Sequence, residues 1–333
     1  MREIAFDASP GETRAVLFED GVAVELHIER HGHTALGSVC EGRIITKGAQ
    51  HDYVRLSGGQ EVIVSPKSAL GEGATIRAEI VREQICEPGE VKLAIARQSD
   101  GDLIDMTGQW QAALTARADA TIKADATFDD HFDLALAGRS DVARSDVGGA
   151  TLWFERTKAG LVFDIDGQGD PLAINRAAAA EVARLLRLLQ IGGAAMIDFV
   201  GMDSKAARLD VAAVFDMASA ADPRGFERTA INGYGLMQVI RAKPRPSLLD
   251  TLFGIRRVSP SDETMALMLL RAASRSNGAG VRRCVTTPSI ATMLGQTGWQ
   301  VLVAEAARAA GASLEIVADA GVRGYGHVHV TQV

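Results

Sequence analysis

Two apolar runs in this chain end in carboxylates. In LVFDIDGQGDPLAIN (residues 161–175) Asp164 and Asp166 close the run and glycines follow, and in AAMIDFVGMD (residues 194–203) Asp198 closes a second run in the same manner. A carboxylate buried without a partner is costly, so such residues imply a turn, a salt bridge or a cation. Two carboxylates brought close together repel unless a proton or a metal lies between them, and oxygen-only ligands of this kind suit Mg²⁺ at about 2.1 Å. Helix caps and salt-bridged turns use the same residues, and the pattern by itself leaves those alternatives open.

The elements around the carboxylates say where they stand. GGATLWFERTKAGLVFDID reads as a hairpin of two strands, ATLWFER and GLVFDI, about a Thr-Lys-Ala-Gly turn. Asn175 is expected to cap the helix NRAAAAEVARLLRLLQIGG and Gly192 to end it, with Val182, Leu185, Leu186 and Leu189 on one face. The strand AAMIDFV follows, so residues 161–200 form a strand, helix, strand unit. If both strands join one sheet, the crossover makes them parallel. Asp164 and Asp198 then finish at the same sheet edge, where open α/β sheets place their ligands, on strands about 4.8 Å apart if they are neighbours.

Further along the chain, residues 4–30 read as two strands about an acidic turn. Residues 37–96 hold short strands at regular spacing, the pattern of a small closed or nearly closed β-barrel. Residues 100–148, rich in Ala, Asp, Thr and Arg, are expected to be helix and loop. SKAARLDVAAVFDMASAADP reads as an amphipathic helix. The tail from residue 262 reads as alternating helices and strands, with WQVLVAEAARAAG taken as a strand and a helix. His327 and His329 alternate on the last strand, for which a surface strand is a simpler account than a metal site.

The bulk properties exclude some functions. A chain of 333 residues with 47% hydrophobic and 23% charged residues can bury a sizeable core. No run approaches the ~20 apolar residues of a membrane span, and the N-terminus lacks a secretory apolar stretch, so a cytoplasmic protein is expected. Cys40, Cys86 and Cys284 show no zinc-like spacing and are expected to be buried free thiols. The net charge of −7 argues against non-specific coating of nucleic acid. Residues 241–283 nevertheless carry nine basic against three acidic side chains. That block reads as plain solvated surface or as a phosphate-facing one, and RAKPRPS within it, with Arg241, Lys243 and Arg245, suits contact with a phosphate chain.

Taken in order, these segments resemble the ribonuclease E/G family over nearly the whole chain. The similarity is carried by IAFDASPGETRAVLFEDGVAVELHIER, GSVCEGRI, FERTKAGLVFDID, NGYGLMQVIRAKPRPSL, VRRCVTTPSIATML and RGYGHVHV, and above all by ARLLRL-x-x-IGG joined to IDFVGM. The resemblance implies an α/β and β multidomain chain. Its parts would be a ribonuclease H-like N-terminal part (1–35 with 100–159), an inserted OB-type RNA-binding barrel (36–99), a deoxyribonuclease I-like catalytic α/β part (160–252), a linker (253–261) and a small C-terminal α+β domain (262–333).

By the same resemblance Asp164 and Asp198 are the catalytic residues and hold Mg²⁺, with Mn²⁺ as a substitute; Asp166 is a further candidate ligand or, alternatively, a source of repulsion toward the attacking phosphate. The activity implied is endonucleolytic hydrolysis of single-stranded RNA to 5′-phosphate and 3′-hydroxyl ends, in RNA processing or decay. The rival is a non-catalytic RNA-binding protein of the same descent. Tyr53 is expected to stack on bases, and Arg241, Lys243 and Arg245 to contact phosphates. The chain also departs from the family. Asp166 stands where the family has Asn, and the zinc-binding CPxC is missing between Leu252 and Asp262, so no zinc is expected and any oligomer is not zinc-linked. The region that would sense an RNA 5′ end is short, and aliphatic Val62 stands near the position of a second stacking aromatic.

Overall fold

The computed structural model describes residues 1–136, 142–256 and 259–331, and for residues 142–147 the backbone alone. The chain opens with strands β1 (Arg2–Ser9), β2 (Glu12–Glu19) and β3 (Val22–Arg30). Three antiparallel strands thus stand where two were expected. The reason is a pair of tight turns: Gly11 has φ 80°, and Asp20 and Gly21 both have positive φ, at 49° and 78°, which a two-residue hairpin turn needs.

Strands β4 (Val39–Lys47), β5 (Asp52–Leu56), β6 (Glu61–Val64), β7 (Thr75–Arg82) and β10 (Ala94–Gln98) close into a barrel in the order β10-β6-β5-β4-β7; a small hairpin, β8 (Ile85–Glu87) and β9 (Glu90–Lys92), lies between β7 and β10. The barrel expected over 37–96 is therefore present. Alternation along its strands fills it with Ile44, Val54, Val62, Val64, Ile76 and Ile80. Val62 is thus a core residue and does not occupy the outer face where a base would stack. Its outward neighbour across from Tyr53 is Ile63.

Residues 100–136 hold more than helix and loop. After α1 (Gln109–Thr115), strand β11 (Ala120–Lys123) adds in parallel to β1, giving the sheet β11-β1-β2-β3. A 3₁₀ turn (Phe128–Phe132) and α2 (Asp133–Leu136) follow. Strand β11, ATIK, carries too little apolar alternation to be recognised, because it lies at the sheet edge with mostly exposed side chains.

The central sheet is six-stranded, in the order β12-β13-β14-β15-β17-β16. Its strands are β12 (Val142–Val147), β13 (Ala150–Thr157), β14 (Gly160–Gly167), β15 (Gly193–Asp198), β16 (Glu227–Arg228) and β17 (Leu236–Arg241). Helices α3 (Pro171–Leu188) and α4 (Lys205–Ser219) pack against each other. They share one core with Leu152, Phe154, Phe163, Ile165, Ile197 and Val239, which all point to the same face of the sheet. The alternate residues, among them Trp153, Asp164, Met196, Asp198 and Gln238, lie on the other face, half-buried or exposed.

The tail comprises α5 (Leu248–Phe253), α6 (Asp262–Arg275), β18 (Val281–Thr286), α7 (Pro288–Leu294), α8 (Thr297–Ala310), β19 (Leu314–Ala318) and β20 (His327–Thr331), with the sheet order β19-β18-β20. WQVLVAEAARAAG is helical throughout. Trp299, Leu302, Val303 and Ala306 recur at helical spacing and pack into the tail's own core, and Gly311, at φ 61°, caps the helix in the left-handed conformation. Cys284 is buried, Cys40 and Cys86 are half-buried, and all three are free.

Candidate active site

Strands β14 and β15 are parallel neighbours, and Asp164 pairs in register with Asp198 after Leu161 with Ala195, Val162 with Met196 and Phe163 with Ile197. The period of two sends Phe163, Ile165 and Ile197 into the core and sends Asp164, Asp166 and Asp198 to the open face. The aspartates that seemed to end buried strands are thus the outward half of an alternating pattern. Among the described residues, neither the Asp164 nor the Asp198 carboxylate makes a hydrogen bond or ion pair. Partial burial, and then the charges of Asp166 and Asp198, push the Asp164 carboxyl above the usual carboxylate range. The site is an electronegative patch with oxygen ligands and, among the described residues, no cation paired to the two aspartates.

Local chemistry holds this patch in place. Asp170, not Asn175, caps α3, accepting from the backbone N–H groups of Leu172 and Ala173. Asn175 lies inside the helix, fully buried, and spans to the chain just beyond Asp198: its amide donates to the Val200 carbonyl at 2.7 Å and accepts from the Val200 N–H at 3.0 Å. It is a positioning residue that sequence reasoning assigned to the wrong task. Its signal was there, since a polar amide in an otherwise apolar helical face needs a partner. Gly235 (φ 90°) lets the turn before β17 approach the same segment, where an added Cβ would sit 2.7 Å from the Phe199 carbonyl. Gly192 does not end α3. The residue there with positive φ is Gln190 (55°), whereas Gly192 allows close passage of the backbone at Ala242. Trp153 stands directly across from Asp164 and Thr151 across from Asp166.

Residues 137–244 match the ribonuclease E/G family. The span contains both aspartates, Asn175 and the strands that carry them. By this segment, about a third of the chain, the protein is similar to the ribonuclease E/G family. A ribonuclease E/G-like protein of Arabidopsis thaliana, described as chloroplastic, is 31% identical over 111 residues, which cover 30% of this chain and 11% of that protein. The chain thus aligns with about a tenth of the length of that relative.

Arg241, Lys243 and Arg245, expected to contact phosphates, are each engaged by carboxylates of the protein. Arg241 is buried at 3% exposure; it grips Asp222 through two bonds of 2.7 Å and donates to the Ile191 carbonyl at 2.6 Å. On β17 it pairs with Gly193, at the start of β15. Five residues separate that point from Asp198, on the order of 17 Å at the rise of an extended strand. Lys243 pairs with Glu87 and Asp250, and Arg245 with Glu29 and Glu83. Beyond them, Arg271 and Arg275 both engage Asp7 and Asp129, and Arg256 pairs with Asp262. Arg257 lies outside the described residues. Much of the basic block is thus engaged with carboxylates of the protein itself, while Arg256, Arg275 and Arg283 also remain exposed.

Tyr53 lies on the outer side of the barrel, half-buried, with its ring 5.2 Å from that of His51 and its hydroxyl 3.3 Å from the His51 Nε2. His327 and His329 stand side by side on the exposed strand β20, ring centroids 4.4 Å apart. Among the described residues no group of three or more His, Cys, Asp or Glu side chains is gathered closely enough to hold a metal ion. Asp166 therefore shares the face with the facing pair without completing a three-ligand cluster. No helix among the described residues is long and apolar enough to cross a membrane.

Proposed function

We propose that this protein is a Mg²⁺-dependent endoribonuclease that hydrolyses single-stranded RNA to 5′-phosphate and 3′-hydroxyl ends, with Asp164 and Asp198 as the residues that hold the ion. The observation that carries the reading is the direct register of these two aspartates on neighbouring parallel strands, within the segment matched to the ribonuclease E/G family. The donor set fits the ion. Mg²⁺ is commonly held by one or two carboxylates and keeps its remaining positions for water and substrate phosphate. Two solvent-open carboxylates without ion pairs among the described residues offer that arrangement, and a raised Asp164 pKa is what a patch short of a cation displays.

When bound, the ion supplies hydroxide near neutral pH and offsets charge on the phosphorus. The chain's own residues do the rest. Asp164 and Asp198 orient the site, and Asn175 fixes the backbone beyond Asp198 so that its carboxylate stays beside its partner. Asp166 adds negative charge next to the pair and strengthens its demand for a cation. Mn²⁺, which takes the same oxygen ligands, would substitute. Tyr53 on the barrel is a candidate stacking surface for a base of the bound strand.

The test is a fluorophore-labelled single-stranded RNA incubated with the protein and Mg²⁺ or chelator. Cleavage is expected with the metal alone and should vanish in Asp164→Asn and Asp198→Asn. Cleavage that survives Asp198→Asn would defeat the site assignment. RNA binding without cleavage under every condition would favour the non-catalytic RNA-binding alternative.

A further inference from the structure

A cavity of about 540 Å³ opens where β3, α1, the barrel edge and the segment after β17 meet. Its volume lies in the range of small-molecule sites, roughly 300–1,000 Å³. Trp110 and Leu114 of α1, Val91, Leu248 and Ile255 supply apolar wall. The charged wall residues are almost all satisfied: Arg30 pairs with Glu263, Arg117 with Glu25, Arg245 with Glu29 and Glu83, and Asp250 with Arg156 and Lys243.

Arg224 is the exception. Its guanidinium donates to the carbonyl (3.2 Å) and side-chain oxygen (2.7 Å) of Gln190, both neutral, and among the described residues it has no ion pair. The nearby carboxylate, Asp222, has both oxygens engaged by Arg241. Burial, and next the charge of Arg241, push the Arg224 pKa down to about 10 against the pull of Asp222 and Glu25, so the group stays charged at neutral pH with no ion pair among the described residues. A partly desolvated cation that lines a cavity and lacks an anion is a stored demand for one.

We propose that this cavity binds a small organic anion, with its carboxylate or phosphate against Arg224 and its apolar or aromatic body against Trp110 and Leu114. The site is separate from the aspartate pair. Gln190 and Arg245 belong to the end of the central sheet near Gly193 and Arg241, and the pair lies at the other end. The inference therefore stands apart from the nuclease reading.

Calorimetric titration of the full chain in Mg²⁺-free buffer tests it, with phenyl phosphate and phenylacetate as the two anionic probes and 2-phenylethanol as the neutral one. Saturable one-to-one binding of at least one anion is expected, and which of the two binds distinguishes a phosphate from a carboxylate ligand. Arg224→Gln should weaken it at least about tenfold, the worth of a charge-assisted hydrogen bond. Ala113→Trp, at an exposed position of α1 on the cavity wall, leaves every ion pair intact and should abolish binding by filling the space. If Arg224→Gln does not fold, Ala113→Trp decides alone. No saturable binding of either anion, binding that Ala113→Trp leaves unchanged, or equal affinity for the neutral probe would overturn the proposal.

Discussion

Arg241→Met separates an RNA contact from a structural ion pair. Arg241 and Asp222 have side chains only 3% and 5% exposed, and two bonds of 2.7 Å join them. Removing one member of a buried pair leaves the other charge uncompensated, at about 3–5 kcal/mol. The Ile191 carbonyl, just before β15, loses its 2.6 Å donor as well. For domains of 150–250 residues each kcal/mol moves the melting midpoint by about 2–4 °C, so a fall of about 6 °C or more is expected. The double change Arg241→Met with Asp222→Leu should recover most of it, because replacing both partners by apolar groups is often nearly neutral. The assay is thermal unfolding by circular dichroism, run beside fluorescence anisotropy with labelled single-stranded RNA. A midpoint within about 2 °C of the parent, too small a shift for the loss of a buried ion pair, together with weaker RNA binding, would refute the structural role and restore Arg241 as a phosphate contact.

Asn175→Ala removes both bonds to Val200; with that residue half-buried, a loss of about 1–3 kcal/mol in urea unfolding is expected, accompanied by slower single-turnover cleavage at unchanged RNA affinity. Asp164→Asn should raise the melting midpoint at pH 7. Burial and the neighbouring Asp166 and Asp198 make the folded state bind a proton at this carboxyl more tightly than the unfolded chain does. Ionisation above about pH 4 therefore works against folding, the gain should disappear below that pH, and a midpoint lowered at pH 7 would contradict the crowding of charge. Acid should act in the opposite sense elsewhere. Arg187 holds the Glu19 carboxyl below its usual range, and bonds from His27 and Arg117 do the same for Glu25 against the effect of burial. The stability they contribute is complete above about pH 4.5 and lost as pH falls through their lowered values, which a series of unfolding curves from pH 6 to pH 3 would show as a steady decline. Because the cations of residues 241–283 are largely engaged internally, log affinity for single-stranded RNA should fall with log salt with a slope shallower than about −2, given about −0.7 per phosphate neutralised. A slope steeper than about −4 in salt-dependent anisotropy, by the same relation, would show that those cations face the RNA.

The aspartate pair could be read from sequence because everything that sets it is local. Alternation in GLVFDID and AAMIDFV fixes which residues face outward, and one helix between two strands is long enough to make them parallel. The barrel was legible for a similar reason, since its strands are short, regularly spaced and joined by turns. Strand β11 was not: it exists because β1 offers a partner more than a hundred residues earlier, and its own side chains report little of that.

The internal partners of the cations were not legible for the same physical reason in stronger form. Local spacing says that a cluster of Arg and Lys is present, but the partner of each is decided by the tertiary fold: Arg245 reaches Glu29 across 216 residues of chain, Lys243 reaches Glu87 across 156, and Arg271 reaches Asp129 across 142. These contacts join the first sheet, the barrel edge, the central sheet and the tail. A basic segment that follows a candidate catalytic strand thus serves here as a brace. It holds one end of the central sheet through buried charge, while at the other end Asp164 and Asp198 have no ion pair among the described residues. The uneven pairing of charge is what the two proposals share: where the described residues supply no ion pair, as at the two aspartates and at Arg224, the proposed ligand carries the opposite charge.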